Sequence, residues 1–475
     1  METLESNHPL FGELEEIVGS GNVCDDRFAC WATSRDASFE PGKLPGIVVI
    51  PQNAEQISLI VKLCNRTKTP LTIRGGGTGV CGACIPYKPN SVLLDMTKMN
   101  KVLEVNRKTS VATIQAGTKF GSLIYEVDKA GLTCCPGGHV PYSSTVGGFV
   151  STTGFPIGGA KYGAYGEEVV CLEVVLPTGE IIRTGSDATI RGGRFTRYGN
   201  GPDITGMFIG DHGLLGVKTE VSVRLHPRGG KKKFETYCFK DMKSGVNALE
   251  KMAQSELLYF GYVVLGKHSV ERLILRYPEI PEDTEMTLMI CIEGDEDVLK
   301  IQKKKLDTMA TKAKLAGSKP AEESTYDIKG EHACKVRSTG VSAVINGFAP
   351  IYRVPKLVNL TTNFVTKYED LMVTIPGTNL KAWLLTAWPM KGGYVNTAIR
   401  ISFKEYPPEI FQKAYEVWHK IVDIWCGEGN VPYWIGKTWT PHLVPRYRKE
   451  YYSFLKRIKG TLDPNDILNP GILGL

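Results

Sequence analysis

No stretch of this sequence approaches the roughly 20 consecutive apolar residues that a membrane helix needs, so a spanning protein is not expected. Charge of one sign is also scarce. Lys and Arg number 57 against 50 Asp and Glu, a net +7 that is spread thinly along the chain. The one basic run, Arg228-Gly-Gly-Lys-Lys-Lys233, falls where the sequence pattern changes. It reads as a solvated linker rather than a nucleic-acid surface, and no nucleic-acid partner is expected. Met1-Glu-Thr-Leu-Glu-Ser6 is acidic where a secretion signal would be basic. Twelve cysteines without such a signal point to a reducing, cytoplasmic setting with thiols free. Those cysteines lack the spacing of metal sites. Cys81 and Cys84 are three apart, but the pair that would complete a zinc site, Cys134-Cys135, is adjacent. No four-cysteine run exists for an iron–sulfur cluster. No metal is expected, and no internal repeat or low-complexity tract is visible.

What the chain has in quantity is glycine, concentrated in two places. The first is Leu71-Thr-Ile-Arg-Gly-Gly-Gly-Thr-Gly-Val-Cys-Gly-Ala-Cys-Ile-Pro86, where a β-branched lead-in ends at Arg74 and five glycines follow within eight residues. Glycine lets main-chain N–H groups come close to a ligand, and a polyanion such as a pyrophosphate is the natural guest. Gly77, Gly79 and Gly82 also spell G-x-G-x-x-G after a strand, the dinucleotide fingerprint. That fingerprint requires a helix to follow, and Pro86 and Pro89 forbid one. A nicotinamide-dependent Rossmann domain is therefore rejected.

The second landmark begins about sixty residues on with Pro136-Gly-Gly-His139. It continues through Ser144-Thr-Val-Gly-Gly148, Ser151 to Gly154, and Gly158-Gly-Ala-Lys-Tyr-Gly163. Two distant glycine clusters flanked by Ser and Thr suggest separate loops closing on one extended ligand. Glu168-Val-Val-Cys-Leu-Glu-Val-Val-Leu176 then reads as a buried strand ending in the turn Pro177-Thr-Gly179.

Taken in order, these motifs resemble the flavoprotein superfamily of vanillyl-alcohol oxidase and the glycolate oxidase and D-lactate dehydrogenase flavin subunits. The resemblance is to its FAD-binding domain and covers roughly 44–227. Leu44-Pro-Gly-Ile-Val-Val-Ile-Pro51 with Ala54-Glu-Gln-Ile57 resembles the opening strand and helix. The pyrophosphate loop would be Arg74, Gly75, Gly76, Gly77, Thr78, Gly79, Cys81 and Gly82. Pro136, Gly137, Ser144, Thr145, Gly147, Gly148 and Ser151, followed by Lys161, Tyr162 and Gly163, resemble the segment passing along the flavin. Val169 follows them. Gly210-Asp-His-Gly-Leu-Leu-Gly-Val217 resembles the closing motif that supplies Gly216 and Val217, with His212 where the family more often has Glu. The tail Leu462-Asp-Pro-Asn-Asp-Ile-Leu-Asn-Pro-Gly471 resembles the family's returning segment and would bring Asn469 to the cofactor. The implied cofactor is FAD. Gly75 to Gly82 contains no histidine, so a covalent histidyl link within that loop is not expected.

The expected fold is α+β, with 475 residues and 42% apolar content enough for ordinary cores in about two to four domains. A two-lobed FAD-binding domain of the p-cresol methylhydroxylase (PCMH) type occupies 1–228, an α/β cap (substrate) domain 229–425, and 426–475 return to the first domain. Within the first domain we expect a helix at Phe11–Val18, strands near Ile47–Ile50, Leu71–Arg74, Ser91–Asp95 and Ser110–Ala116, and helices at Ala54–Asn65 and Lys119–Ala130. In the cap, helices at Met242–Ser255, Glu296–Leu315, Lys356–Tyr368 and Glu409–Ile424 alternate with strands. Those strands are read at Leu257–Leu265, Glu285–Glu293, Met372–Ile375, Lys381–Pro389 and Gly393–Phe403.

Oxidising an alcohol carbon requires a hydride acceptor, a place for the hydroxyl proton and stabilisation of developing negative charge. The densest candidate segment is Cys426-Gly-Glu-Gly-Asn-Val-Pro-Tyr-Trp-Ile-Gly-Lys-Thr-Trp-Thr-Pro-His442. There Tyr433 could bind an oxyanion, Lys437 supply charge and His442 move a proton, with Trp434 and Trp439 as walls. Arg400 and Arg353 are further anion partners. The hydroxy-acid branch typically carries a histidine-rich metal strand, and the matching Gly392-Gly-Tyr-Val-Asn-Thr-Ala-Ile-Arg400 has no histidine. Glu428 is kept without its following histidine. In the vanillyl-alcohol oxidase branch a Tyr-Arg pair binds phenolate, and here Tyr433-Trp434 stands instead. The expectation is an FAD-dependent oxidoreductase acting on an aromatic alcohol or a 2-hydroxy acid. The alternatives are a flavin-bearing electron-transfer subunit, or a non-redox flavin enzyme of the alkylglycerone-phosphate synthase type. Expected partners are a small-molecule substrate and an electron-transfer protein or iron–sulfur subunit, with a homodimer as candidate assembly.

Overall fold

The computed structural model describes residues 8–138, 140–327, 341–404 and 408–475. The acidic N-terminal hexapeptide and His139 lie outside them. The chain divides into two compact units. One comprises Met1–Gly154, Glu168–Pro227 and Trp434–Leu475, and the other Phe155–Glu167 and Arg228–Tyr433.

The first unit contains two sheets. The smaller orders its strands Val23–Cys24, Ile47–Val49, Val92–Asp95 and Leu71–Arg74, with the last three parallel to one another and the first antiparallel to Ile47–Val49. Parallel pairing needs a crossover, and the helix Ala54–Thr67 supplies it. Asn53 caps that helix by accepting from the Gln56 N–H, and Lys68 ends it at φ +53°. Ile57, Ile60, Val61 and Cys64 recur at helical spacing and are fully buried against Ile47, Val49, Leu71 and Leu94. The larger sheet is antiparallel, ordered Val102–Asn106, Val111–Gln115, Val217–Pro227, Val169–Val175 and Ile181–Arg183. Leu132–Cys134 also pairs with Val217–Pro227. Val169–Val175 is buried at every position, an apolar run interrupted only by Glu173, which pairs with Arg183.

The second unit is built on one seven-stranded antiparallel sheet. Its order is Lys314–Leu315, Lys231–Phe239, Met286–Gly294, Phe260–Leu265, Trp383–Met390, Tyr394–Phe403 and Val341–Pro350. The helices Met242–Gln254, Lys267–Ile274, Glu296–Met309, Val354–Val365 and Pro408–Gly427 accompany it.

The α+β class holds, and several element assignments need correction. Lys231–Lys233, expected as solvated linker, begins a nine-residue strand, with Lys231 opposite Gly294. Its three lysines are exposed, which hid the buried half that follows. The helix expected to reach Leu315 stops at Met309, and Lys314–Leu315 pairs with Tyr237 and Cys238. Met372 and Thr374 make only isolated bridges instead of a full strand.

Candidate functional site

The strand Leu71–Arg74 delivers the glycine loop, and no helix follows through Asn90. Arg74 does not lead outward. Its guanidinium donates to the Arg35 carbonyl at 2.7 Å and reaches the Cys84 sulfur at 3.5 Å. With Arg74 so anchored, the loop beyond it runs against the second glycine segment. Thr78 Oγ1 and Ser144 Oγ are 3.0 Å apart. A Cβ on Gly75 would strike Thr145 Oγ1, and one on Gly76 would strike the Ser143 carbonyl. The two glycine landmarks therefore meet, and glycine at 75 and 76 is what permits it.

The loop leaves its own donors unused. Among the described residues, no main-chain N–H of Gly76, Gly77, Thr78, Gly79 or Val80 donates to a protein acceptor. Five consecutive N–H groups without a protein acceptor make a donor set suited to a polyanion. At Gly79 an added Cβ would meet nothing closer than Asp36 Oδ2 at 3.7 Å, so the protein leaves that face clear. Thr145 starts the helix Val146–Ser151 by accepting from Gly148 N–H, and Gly147 N–H donates to the Ala116 carbonyl at 2.8 Å. These features fit the pyrophosphate of FAD, which the loop 76–80 and the segment 144–148 would hold.

The tail closes on the same strand. Leu71 N–H donates to Ile467 O at 2.7 Å, and Asn469 N–H donates to Leu71 O at 2.9 Å. The Asn469 side chain accepts from Ile73 N–H at 3.0 Å and donates to His212 O. His212, at φ +52°, is buried. Its Nε2 accepts from Ile435 N–H at 3.0 Å, which leaves the proton on Nδ1, an atom with no protein partner among the described residues. Burial, with Lys218 close by, lowers its pKa to about 3. Beside it Asp211 and Lys218 form a buried ion pair.

Other residues singled out from the sequence have structural work. Cys81 O accepts from Lys437 and Thr438 N–H groups at 2.8 and 3.2 Å. Gly82, at φ +73°, faces Glu40 and Lys437. Lys437 Nζ donates to the carbonyls of Ile85 and Pro86, and burial lowers its pKa to about 8. Burial pushes Cys84 up to about 12 and raises Cys81 well above its ordinary value, so both thiols stay protonated. Pro136 accepts from the Cys135 thiol, and Gly137 packs flat on Phe120. Ser151 O accepts from His212 N–H at 2.8 Å. Gly216 makes room for Val174 and Phe208, while Val169 and Val217 are core. The carbonyl of His442 accepts from Arg446 within the first unit.

Lys161, Tyr162 and Gly163 belong to the second unit. Lys161 pairs with Glu293 at 2.7 Å, and Tyr162 packs edge-on to Tyr259. Gly159 O accepts from Lys391 N–H at 3.0 Å, which seats the segment against the end of the strand Trp383–Met390. Tyr433 is also in the second unit, whereas Lys437 and His442 are in the first. Arg353 is occupied by Glu428 O at 3.2 Å.

Tyr433 sits in a chain of six aromatic rings. Val431 and Phe348 exchange main-chain hydrogen bonds, which lays the segment leading to Tyr433 along the edge strand. Successive ring centroids run Tyr262–Trp388 5.4 Å, Trp388–Phe155 5.3 Å, Phe155–Tyr433 6.5 Å, Tyr433–Phe348 5.6 Å and Phe348–Tyr394 5.3 Å. In the sheet register, Asn396 stands directly between Phe348 and Trp388. Arg400 is on the same face four residues on. Burial lowers Arg272 to about 10 and raises Tyr262 to about 12, and Arg400 acts on both. Sequence reading missed Asn396, because a lone asparagine in a strand acquires meaning only from its cross-strand neighbours. Among the described residues no group of three or more His, Cys, Asp or Glu could hold a metal ion.

Two family models match the chain. A family model described as an FAD binding domain matches residues 45–185. One described as the C-terminal domain of FAD linked oxidases matches 231–473. Glycolate oxidase subunit GlcD of Bacillus subtilis is 26% identical over 470 residues, covering 97% of this chain and 95% of that protein. Among solved structures, 4-ethylphenol oxidase from Gulosibacter chungangensis, in its isoeugenol complex, superposes with a TM-score of 0.83 at 17% identity. It covers 98% of this chain and 96% of its own. An alkyldihydroxyacetonephosphate synthase gives a TM-score of 0.73 at 19% identity, over 97% of this chain and 84% of that one. Both structural likenesses are of fold.

Proposed function

The chain belongs to the FAD-linked oxidases, flavoproteins of the vanillyl-alcohol oxidase and p-cresol methylhydroxylase superfamily, and from that premise we propose that it oxidises an alcohol-type carbon of an aromatic alcohol or a 2-hydroxy acid. When bound, FAD supplies the hydride acceptor at N5. The observation that carries the reading is the aromatic chain around Tyr433 in the second unit. Six rings, tilted or edge-on to their neighbours, give an aromatic setting for a small organic ligand, and the Tyr433 hydroxyl can hydrogen-bond the reacting oxygen. A donor there stabilises the negative charge that develops on oxygen as the hydroxyl proton leaves. In the first unit, the N–H groups of 76–80 and the hydroxyls of Thr78, Ser144 and Thr145 would hold the cofactor's phosphates.

The Bacillus subtilis relative is named as a subunit, which favours a second reading of electron disposal. On it, electrons leave to a partner protein rather than to oxygen. Anaerobic mixing of purified protein with aromatic alcohols and 2-hydroxy acids tests the main reading. Bleaching of the visible flavin absorbance by such a substrate is the expected result. A protein that holds no flavin and cannot be reconstituted with FAD would overturn it. Following reoxidation by air distinguishes the two acceptors.

A further inference from the structure

Asn396 is fully buried in the strand Tyr394–Phe403, and neither Nδ2 nor Oδ1 has a protein partner among the described residues. Burying an amide with both hydrogen-bonding atoms unmatched is costly, and a core position would ordinarily be apolar. The neighbouring asparagine on the same sheet face, Asn346 opposite Ala398, likewise keeps an unmatched Oδ1. The opposite face of the same strand shows the contrast. There Thr397 Oγ1 donates to Gly347 O at 2.9 Å and accepts from Asn430 Nδ2 at 3.2 Å.

Three features bound what Asn396 can receive. A carboxamide offers one acceptor and one donor edge by edge, so its complement carries a donor and an acceptor on adjacent atoms. The walls are aromatic, because Phe348 and Trp388 flank Asn396 across the sheet and Tyr262, Phe155 and Tyr433 continue the ring chain. A guanidinium also lies on this face, that of Arg400. Arg272 lies close to Arg400 with no carboxylate partner among the described residues.

We propose that Asn396 selects and orients the substrate, its Oδ1 accepting from the hydroxyl and its Nδ2 donating to a carboxylate oxygen of an aryl 2-hydroxy acid whose ring lies among Trp388, Phe348 and Tyr433. The inference rests on the oxidation of an alcohol carbon and narrows it, joining the aromatic and hydroxy-acid alternatives in one molecule. Asn396 acts by recognition and orientation, while Arg400 and Arg272 make the face favourable to the carboxylate.

The test separates recognition from chemistry. Atrolactate, 2-hydroxy-2-phenylpropanoate, has the ring, hydroxyl and carboxylate but no hydrogen on its carbinol carbon, so it binds without giving a hydride. Calorimetric titration of FAD-loaded protein with atrolactate should show binding that weakens roughly tenfold to hundredfold in Asn396→Leu, as expected for losing a matched donor and acceptor. Flavin content and melting temperature should hold or rise in that variant, because the leucine removes an unmatched buried amide. Asn396→Asp, near-identical in shape, should abolish binding by opposing the carboxylate. Lactate and benzyl alcohol, each lacking one half, should bind at least tenfold more weakly than atrolactate. Equal atrolactate affinity in wild type and Asn396→Leu, or no binding to wild type, overturns the proposal. Mandelate settles the underlying reading separately. If atrolactate binding depends on Asn396 but mandelate never bleaches the flavin, recognition stands and alcohol oxidation falls. If another alcohol bleaches the flavin while atrolactate does not bind, the reverse holds.

Discussion

The side chain of Asn469 donates to the backbone carbonyl of His212, 257 positions earlier, while its other amide atom accepts from Ile73. One carboxamide thus ties the C-terminal tail to the strand bearing the glycine loop and to the closing glycine motif. Asn469→Leu would leave one buried carbonyl and one N–H unmatched. It should cost roughly 2–4 kcal/mol of unfolding free energy. Hydrogen exchange at Leu71 and Ile73 should speed up in parallel. Unchanged exchange there would show that the tail is held by its main chain alone.

His212 gives the fold a pH dependence whose direction is fixed. Burial holds its pKa near 3, against about 6.5 in an unfolded chain. Between those values the unfolded chain binds a proton that the folded one refuses. Stability therefore falls as pH drops through that window, by up to about 1.4 kcal/mol per pH unit, and this residue adds no slope above it. His212→Asn tolerates the positive φ and removes the titration. Denaturant unfolding between pH 4 and 8 should give the variant a shallower acid limb, and parallel limbs would refute the assignment.

Gly76 and Gly79 should respond differently to the same change. A methyl on Gly76 strikes the Ser143 carbonyl, so Gly76→Ala should destabilise the protein with or without cofactor. A methyl on Gly79 meets only an ordinary contact with Asp36. Gly79→Ala should therefore keep the melting temperature of the flavin-free protein and lose FAD affinity, because the methyl occupies the face left clear for the ligand. Full flavin retention with an unshifted dissociation constant would move the phosphate site elsewhere.

Tyr433→Phe preserves the ring packed on Phe348 and Phe155 and removes only the hydroxyl. Loss of one donor to a developing oxyanion lowers turnover by roughly 10²–10³. Rapid-mixing measurement of flavin reduction under anaerobic conditions isolates that step, and an unaltered rate would make Tyr433 a packing residue only.

Much of the first unit could be read from local pattern. The helix at Phe11–Val18, the strand Leu71–Arg74 and the buried run after Glu168 follow from periodicity and turn residues close by in sequence. The meeting of the two glycine loops was legible as chemistry, but its partners were not. That Gly76 faces Ser143 depends on the packing of the helix Phe120–Lys129 and the register of the larger sheet. The second unit was harder. Val341–Pro350 contains Ser342, Asn346 and Gly347, which break the apolar signature of a strand, and only pairing with Tyr394–Phe403 makes them strand residues. The segment 155–167 lies in sequence between two pieces of the first unit yet packs in the second, through contacts to Met390 and Glu293 far downstream. Asn396 shows the same limit at the candidate site, since its burial and unmatched amide exist only once the strands align.

The pairing of the strand Leu71–Arg74 with the tail also sets a timetable for synthesis. Ile73 and Asn469 are 396 residues apart. At roughly 5–20 residues per second, the ribosome needs on the order of 20–80 seconds to make the segment that covers this edge. Throughout that interval a nascent chain carries an open parallel edge, a template for pairing with neighbouring chains. The chain also crosses between its units four times, so neither can be completed and released as a contiguous fragment. Chaperone demand and losses to aggregation during expression should accordingly track the slow arrival of the last forty or so residues rather than the stability of the finished protein.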